Sequence, residues 1–258
     1  MMKMDVAVRN KLHYVVGLVT IAVFAGGARV QAKDAVAGTC GSVFGAKVCT
    51  SYRMQSGKVT EFSMRVPIAA IEQAPASAPM VWPPKADLVV PFATEVHEQT
   101  GFTFANIYWN PHGHTPAVYM VPHFDFHFYF APEEEVQGID CKDTRKPQII
   151  PAGYALRDEE VPKLGTLVGM CIPAMGMHAV PATDLDGKTH WEGSLLVGYY
   201  GGKPIFIEPM ITRELLLRKH SFSLPVPKIE PTAHVRYPKR FNAIYDPKSE
   251  SYDFTFSY

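Results

Sequence analysis

The residues best suited to chemistry sit close together. Between Trp109 and Tyr129 the chain carries Asn110, His112 and His114, then Pro122-His123-Phe124-Asp125-Phe126-His127-Phe128-Tyr129, so four of the ten histidines fall within sixteen residues. On an extended strand successive side chains alternate faces. His123, Asp125, His127 and Tyr129 therefore share one face, and Phe124, Phe126 and Phe128 share the other. Three aromatic rings in a row want a core, which turns the polar row toward a cavity or a second layer. Several polar groups on a buried face need partners, and a metal ion serves several of them at once.

Spacing limits how that row can bind. Adjacent members lie about 7 Å apart along the strand and His123 lies about 13 Å from His127. Asp125 with one histidine is the easier pair for a shared ion. Alternatively, Asp125 accepts the ring N–H of a ligating histidine and sets its tautomer. Further ligands must come from elsewhere in the chain. His178, in Gly176-Met177-His178, and Glu208, in Phe206-Ile207-Glu208-Pro209-Met210, are polar residues embedded in apolar runs.

The expected metal set is His123, His127, His178 and Glu208, with His114 as a secondary candidate and Asp125 or Glu208 as the catalytic base. Imidazole and carboxylate together suit zinc, iron, manganese or nickel, and an open coordination position would make the site catalytic. Met170, Met175 and Met177 beside His178 offer soft sulfur, but methionine commonly fills core gaps, so copper ranks below the others. Ligation by neutral imidazoles is expected to weaken as pH falls through about 6.5. The competing expectation has no metal: the histidines, Asp125 and the Tyr129 hydroxyl satisfy one another by hydrogen bonds. The chain lacks G-x-S-x-G, a P-loop, a dinucleotide fingerprint and H-E-x-x-H, so serine hydrolase, nucleotide-binding and zincin chemistry have no direct support.

The elements that must position these residues read as mainly β, an antiparallel sheet or barrel-like single domain with one or two short helices. Thr50 to Val66 forms two strand-like runs around the turn signal Gln55-Ser56-Gly57-Lys58. A short helix is expected over Ile68 to Gln73, then a proline-rich surface loop over residues 74 to 85. Strands are expected over Phe102 to Trp109 and Val118 to Phe130, and Glu133-Glu134-Glu135 reads as a solvated turn. Leu195 to Tyr200 and Pro204 to Glu208 form a hairpin across Gly201-Gly202. Thr212 caps a helix over Arg213 to Lys219. After an extended stretch spaced by Pro225, Pro227, Pro231 and Pro238 comes a C-terminal hairpin, 241–258. Its last strand alternates Tyr252, Phe254, Phe256 and Tyr258 with polar residues, so it either closes this domain's sheet or pairs with another subunit.

Composition sets the compartment and excludes some partners. The chain has 258 residues, 25 Lys+Arg and 25 Asp+Glu, and is 47% apolar, enough to build a core. Lys3, Arg9 and Lys11 precede an apolar run from Tyr14 to Ala25, and a small-residue stretch closes with Val30-Gln31-Ala32, the layout of a secretory signal peptide over residues 1–32. A membrane span needs about 20 apolar residues, more than this run offers. Residues 1–32 hold four basic residues and one acidic one, so removing this +3 leader from a neutral chain leaves residues 33–258, a single β-rich domain, at −3. The product is expected in the periplasm or secreted, without a membrane span after cleavage. It is not a nucleic-acid binder, which would need a clustered basic excess. In an oxidising compartment the four cysteines default to disulfides. Cys40 and Cys49 bracket a Gly-containing turn, leaving Cys141 and Cys171, although four cysteines allow three pairings.

Motifs extend through most of this domain. They include Ser51-Tyr52 after a Gly-rich start, Trp109-Asn110-Pro111-x-Gly113-His114-x-Pro116, and Tyr119-x-x-Pro122-His123-Phe124-Asp125-Phe126-His127-Phe128-Tyr129. Met175-Gly176-x-His178 and Gly198-Tyr199-Tyr200-Gly201-Gly202-Lys203 follow, leading to Glu208-Pro209-Met210-Ile211-Thr212. On these residues the chain resembles an uncharacterised bacterial secreted family, a domain of unknown function typified by a sigma-E-controlled protein from a thermophile. It departs from the family pattern in having Thr115 in place of an acidic residue and Ala179 where Trp is frequent. The resemblance carries no established activity. It implies that His114, His123, Asp125, His127, His178 and Glu208 belong to one set of motifs, and that the protein assembles into ring-shaped homo-oligomers.

Two functions follow from these readings. One is a metal-dependent enzyme, in which metal-bound water is the nucleophile or an open coordination position takes the substrate. The other is a non-catalytic envelope protein, oligomeric or ligand-binding, whose histidine row is structural.

Overall fold

The computed structural model describes residues 35–258 apart from positions 80, 188, 189, 231 and 233. The expected leader lies outside the described residues. The strands in chain order are β1 (Val36–Val43), β2 (Ala46–Gln55), β3 (Lys58–Pro67), β4 (Leu88–Pro91), β5 (Phe104–Asn110), β6 (His123–Tyr129), β7 (Tyr154–Ala155) and β8 (Glu159–Val161). They continue with β9 (Gly165–Leu167), β10 (Met177–Pro181), β11 (Gly193–Tyr200), β12 (Lys203–Thr212), β13 (Phe222–Leu224), β14 (Arg240–Asp246) and β15 (Ser251–Ser257). Four short helices accompany them: α1 (Ile68–Glu72), α2 (Thr94–Thr100), α3 (Glu133–Gln137) and α4 (Arg213–Leu217).

The mainly β, antiparallel expectation is met by two sheets, β1-β2-β3-β15-β14-β13 and β4-β5-β6-β12-β11-β10-β7, beside a small β8-β9 ladder. Aromatic rings form the layer between the two sheets. Phe126 of β6 meets Phe254 of β15 with ring centres 4.5 Å apart, Phe128 meets Phe256 at 5.0 Å, and Phe62 of β3 lies 6.3 Å from Phe128. The phenylalanine face of β6 is thus the core face, and its polar neighbours point the other way. β6 lies between β5 and β12, and its polar face is buried as well. A second apolar cluster on that outer side, containing Tyr119, Met170, Val180, Trp191, Leu196 and Met210, closes over it.

Local signals were legible where a short range decides the structure. The β2–β3 hairpin turns at Ser56-Gly57, and Thr212 caps α4 by accepting from the Leu215 N–H at 3.2 Å. Both disulfides form: Cys40–Cys49 between register partners of the β1–β2 hairpin, and Cys141–Cys171 across 30 residues. The cysteines are therefore not metal ligands.

Several boundaries differ from expectation. The strand expected from Val118 begins at His123, because Pro116 and Pro122 withhold the N–H groups a ladder needs, and Ala117–Tyr119 makes a 3-10 turn instead. Glu133 to Glu135 open the exposed helix α3, with acidic groups at its positive end. The helix after Thr212 stops at Leu217. The aromatic last strand pairs with β3 and β14 of its own chain, which resolves the alternative of pairing with another subunit. β1, α2 and β10 were not legible, since their patterns are short or mixed.

Candidate metal centre

Register decides which polar residues meet. On one side of β6, Asn106, Tyr108 and Asn110 of β5 lie opposite His127, Asp125 and His123. On the other side, Met210 and Thr212 of β12 lie opposite Asp125 and His123, which brings Glu208 beside His127. β10 pairs His178 with Gly198 of β11, and Gly198 in turn pairs with Phe206 of β12. A Cβ on Gly198 would collide with the Phe206 ring. Because glycine stands there, that ring fits between His127 and His178, with ring centres 4.7 and 5.1 Å away.

The six motif residues fall into two triads, His114–His123–Asp125 and His127–His178–Glu208. His123 and His127, four apart on one strand, belong to different triads, as their spacing requires. Asp125 meets two histidines, where the sequence reading foresaw one as the easier pairing.

In the inner triad every residue is buried. Glu208 Oε2 lies 3.6 Å from His127 Nε2 and 3.8 Å from His178 Nε2. His178 donates from Nδ1 to the Met170 carbonyl at 3.0 Å, so its Nε2 presents a lone pair toward Glu208. Both ring nitrogens of His127, Glu208 Oε2, the Tyr129 hydroxyl and Asn106 Oδ1 are buried and make no hydrogen bond.

The outer triad is tighter. His114 Nε2 and His123 Nε2 lie 3.1 Å apart, 3.4 and 3.2 Å from the two oxygens of Asp125. Asn110 donates its amide N–H to Asp125 Oδ2 at 2.7 Å. His114 arrives from the loop before the 3-10 turn, where its N–H donates to the Tyr119 carbonyl at 3.3 Å. Gly113 makes that fold-back possible: its φ is +67°, and a Cβ there would strike the Tyr119 and Val121 backbone. Thr115, beside His114, donates its hydroxyl to Glu159.

Burial separates the electrostatics of the triads. Desolvation, helped by charge repulsion between the two rings, lowers His127 to about 3, and desolvation lowers His178 to about 4. Burial, reinforced by the charge of Asp125, pushes the Glu208 carboxyl well above the usual range. Without a cation both inner histidines are therefore neutral at pH 7, and Glu208 is biased toward its protonated form. In the outer triad burial opposes charge, but the attraction of His123 and His114 holds Asp125 well below the usual carboxylate range, and Asp125 holds His114 above the ordinary histidine value.

The remaining candidates are placed plainly. His112 is exposed and bonded to Ser77. Met177 packs in the main core and the Met170 side chain in the outer apolar cluster. A third group, His190, Glu192 and Glu214, is partly exposed and already has a cation in Arg218, which pairs with both glutamates. Sequence reading missed Asn106, Tyr108 and Asn110 as neighbours of the triads. Their alternation along β5 was the available signal. No family model matches the chain, and neither do curated proteins or solved structures.

Proposed function

We propose that this is an exported metalloprotein that holds a transition-metal ion between His127, His178 and Glu208. The carrying observation is the set of five buried polar atoms without a hydrogen bond around that triad. Each such atom costs about 1–3 kcal/mol when left unmade. A divalent ion turns this arrangement to advantage by taking the lone pairs of both imidazoles and the carboxylate. The donor set of two imidazoles and one carboxylate suits zinc, iron, manganese or nickel. Asn106, the register partner of His127, and Tyr129, two residues on along β6, lie on the same face as these ligands. The site is closed from solvent, which supports an ion that is retained over one that is exchanged.

Export is supported by the leader pattern and by both disulfides, which fit an oxidising compartment. Among the described residues no helix is long and apolar enough to cross a membrane.

Metal analysis of untagged protein after prolonged dialysis against chelator tests the proposal. Wild type is expected to retain an ion that the His127→Ala, His178→Ala double variant lacks. Equal, negligible metal in both proteins overturns it.

A further inference from the structure

We propose that His114, His123 and Asp125 form a second metal centre, independent of the buried one, which binds a first-row divalent cation such as zinc and keeps one coordination position open to a small ligand from solvent.

The geometry suits a three-donor metal site. His114 Nδ1 lies 2.8 Å from the Thr115 carbonyl and His123 Nδ1 lies 2.6 Å from the Val121 carbonyl. A carbonyl has no hydrogen to give, so both Nδ1 atoms carry the proton and donate. Where both rings are neutral, each presents its Nε2 lone pair, and the two lone pairs face one another across 3.1 Å. Two acceptors repel at that separation, and either a proton on one ring or a metal ion between them removes the repulsion.

The third donor completes the set. Asp125 places its two oxygens 3.2 and 3.4 Å from the same pair of nitrogens. Oδ1 is buried and makes no hydrogen bond in good geometry, while Oδ2 is held by Asn110. A tetrahedral ion with bonds of about 2.0–2.1 Å puts neighbouring ligand atoms about 3.3–3.4 Å apart. The N–N separation and the distance from each nitrogen to its nearer Asp125 oxygen lie near this value, and those of the inner triad are longer.

Three protein ligands leave the fourth position of such an ion free. His123 is fully buried and the Asp125 side chain is 8% exposed, whereas that of His114 is 35% exposed. His114 is therefore the most exposed member of the triad. A cavity of about 230 Å³ lies along the same loop, with Pro116, Ala117, Arg157, Glu159 and Asp184 in its wall.

The two centres use different side chains, so they can be tested apart. Untagged full-length chain is loaded with cobalt(II), washed, and assayed for cobalt per chain and for the visible spectrum with and without azide. Wild type is expected to bind two ions and to show an azide-dependent band shift. His114→Ala, on an accessible loop, is expected to bind one ion and to lose the azide response while retaining the wild-type melting temperature. Asp125→Asn is the second variant, expected to weaken cobalt binding at this centre at least tenfold. The His127→Ala, His178→Ala protein is expected to keep the azide-responsive ion. Two ions with an unchanged azide response in His114→Ala overturn the proposal. So does a single ion in wild type that disappears only with His127 and His178, an outcome that leaves the buried centre standing. An azide-responsive ion in wild type and none retained through dialysis overturns the buried centre alone.

Discussion

His178 donates its Nδ1 hydrogen to the carbonyl of Met170, the residue preceding the disulfide-bonded Cys171. The bond fixes which nitrogen of His178 faces Glu208, and the disulfide fixes the chain that supplies the carbonyl. Orientation of this histidine is thus tied to a covalent crosslink between residues 30 apart in sequence.

Removing that crosslink should act on stability and on metal together. A closed loop of this length contributes about 3–4 kcal/mol through the unfolded chain. The Cys141→Ser, Cys171→Ser protein is expected to lose about that much in denaturant unfolding and to bind metal at the inner triad about 10–100-fold more weakly, as measured by chelator competition. Loss of the Cys40–Cys49 bond should lower stability without changing metal affinity.

The pH dependence of the metal-free protein follows from the inner triad. His127 and His178 stand at about 3 and about 4 in the fold, below the ordinary 6.5. Between those values and 6.5 the unfolded chain binds more protons than the folded one, so this stability is present above 6.5 and is lost as pH falls through the window. His127 alone should account for about 3–5 kcal/mol of that loss. Glu208 has the opposite sign: its raised value contributes stability below the unfolded carboxyl value, which fades as pH rises. Melting of chelated wild type and His127→Ala from pH 7 to 4 is expected to show a smaller acid shift in the variant.

Metal binding has its own proton linkage. The sequence alone suggests weakening near pH 6.5, but the inner histidines are already neutral there. The remaining proton linkage is that of Glu208, whose burial favours its protonated form. Affinity at this centre should fall about tenfold per pH unit below the carboxyl's raised value, with no added step at 6.5. Calorimetry in buffers of different ionisation enthalpy should detect proton release that grows as pH falls.

Glu208→Gln separates charge from shape. Burial biases the metal-free Glu208 toward its neutral form, so a neutral amide of the same size should change stability by less than about 1.5 kcal/mol. The inner metal should nevertheless be lost, since an amide is a far poorer ligand than a carboxylate. Thermal melts and metal content measured on the same preparation check both halves.

The two faces of β6 should respond differently to mutation. Phe126→Ala opens the layer between the sheets and is expected to destabilise by about 3–5 kcal/mol with metal stoichiometry unchanged. Gly198→Ala forces the Phe206 ring from its place between His127 and His178. It should cost about 1–3 kcal/mol and loosen the inner ion, seen as faster release to chelator.

The amino-acid sequence by itself determined the polar face of β6, since a period of two leaves His123, Asp125 and His127 no choice but to share a side once the phenylalanines enter the core. It likewise determined the Ser56-Gly57 turn, the Thr212 cap and the ligand types. These depend on neighbours a few residues apart. The division of the candidates into two triads depended on contacts the sequence does not display. Sheet order carried Glu208 and His178 to His127, and a proline-flanked loop folded His114 back onto His123. Register between distant strands is set by the whole set of side chains buried with them, so only the tertiary structure decided which histidine meets which carboxylate.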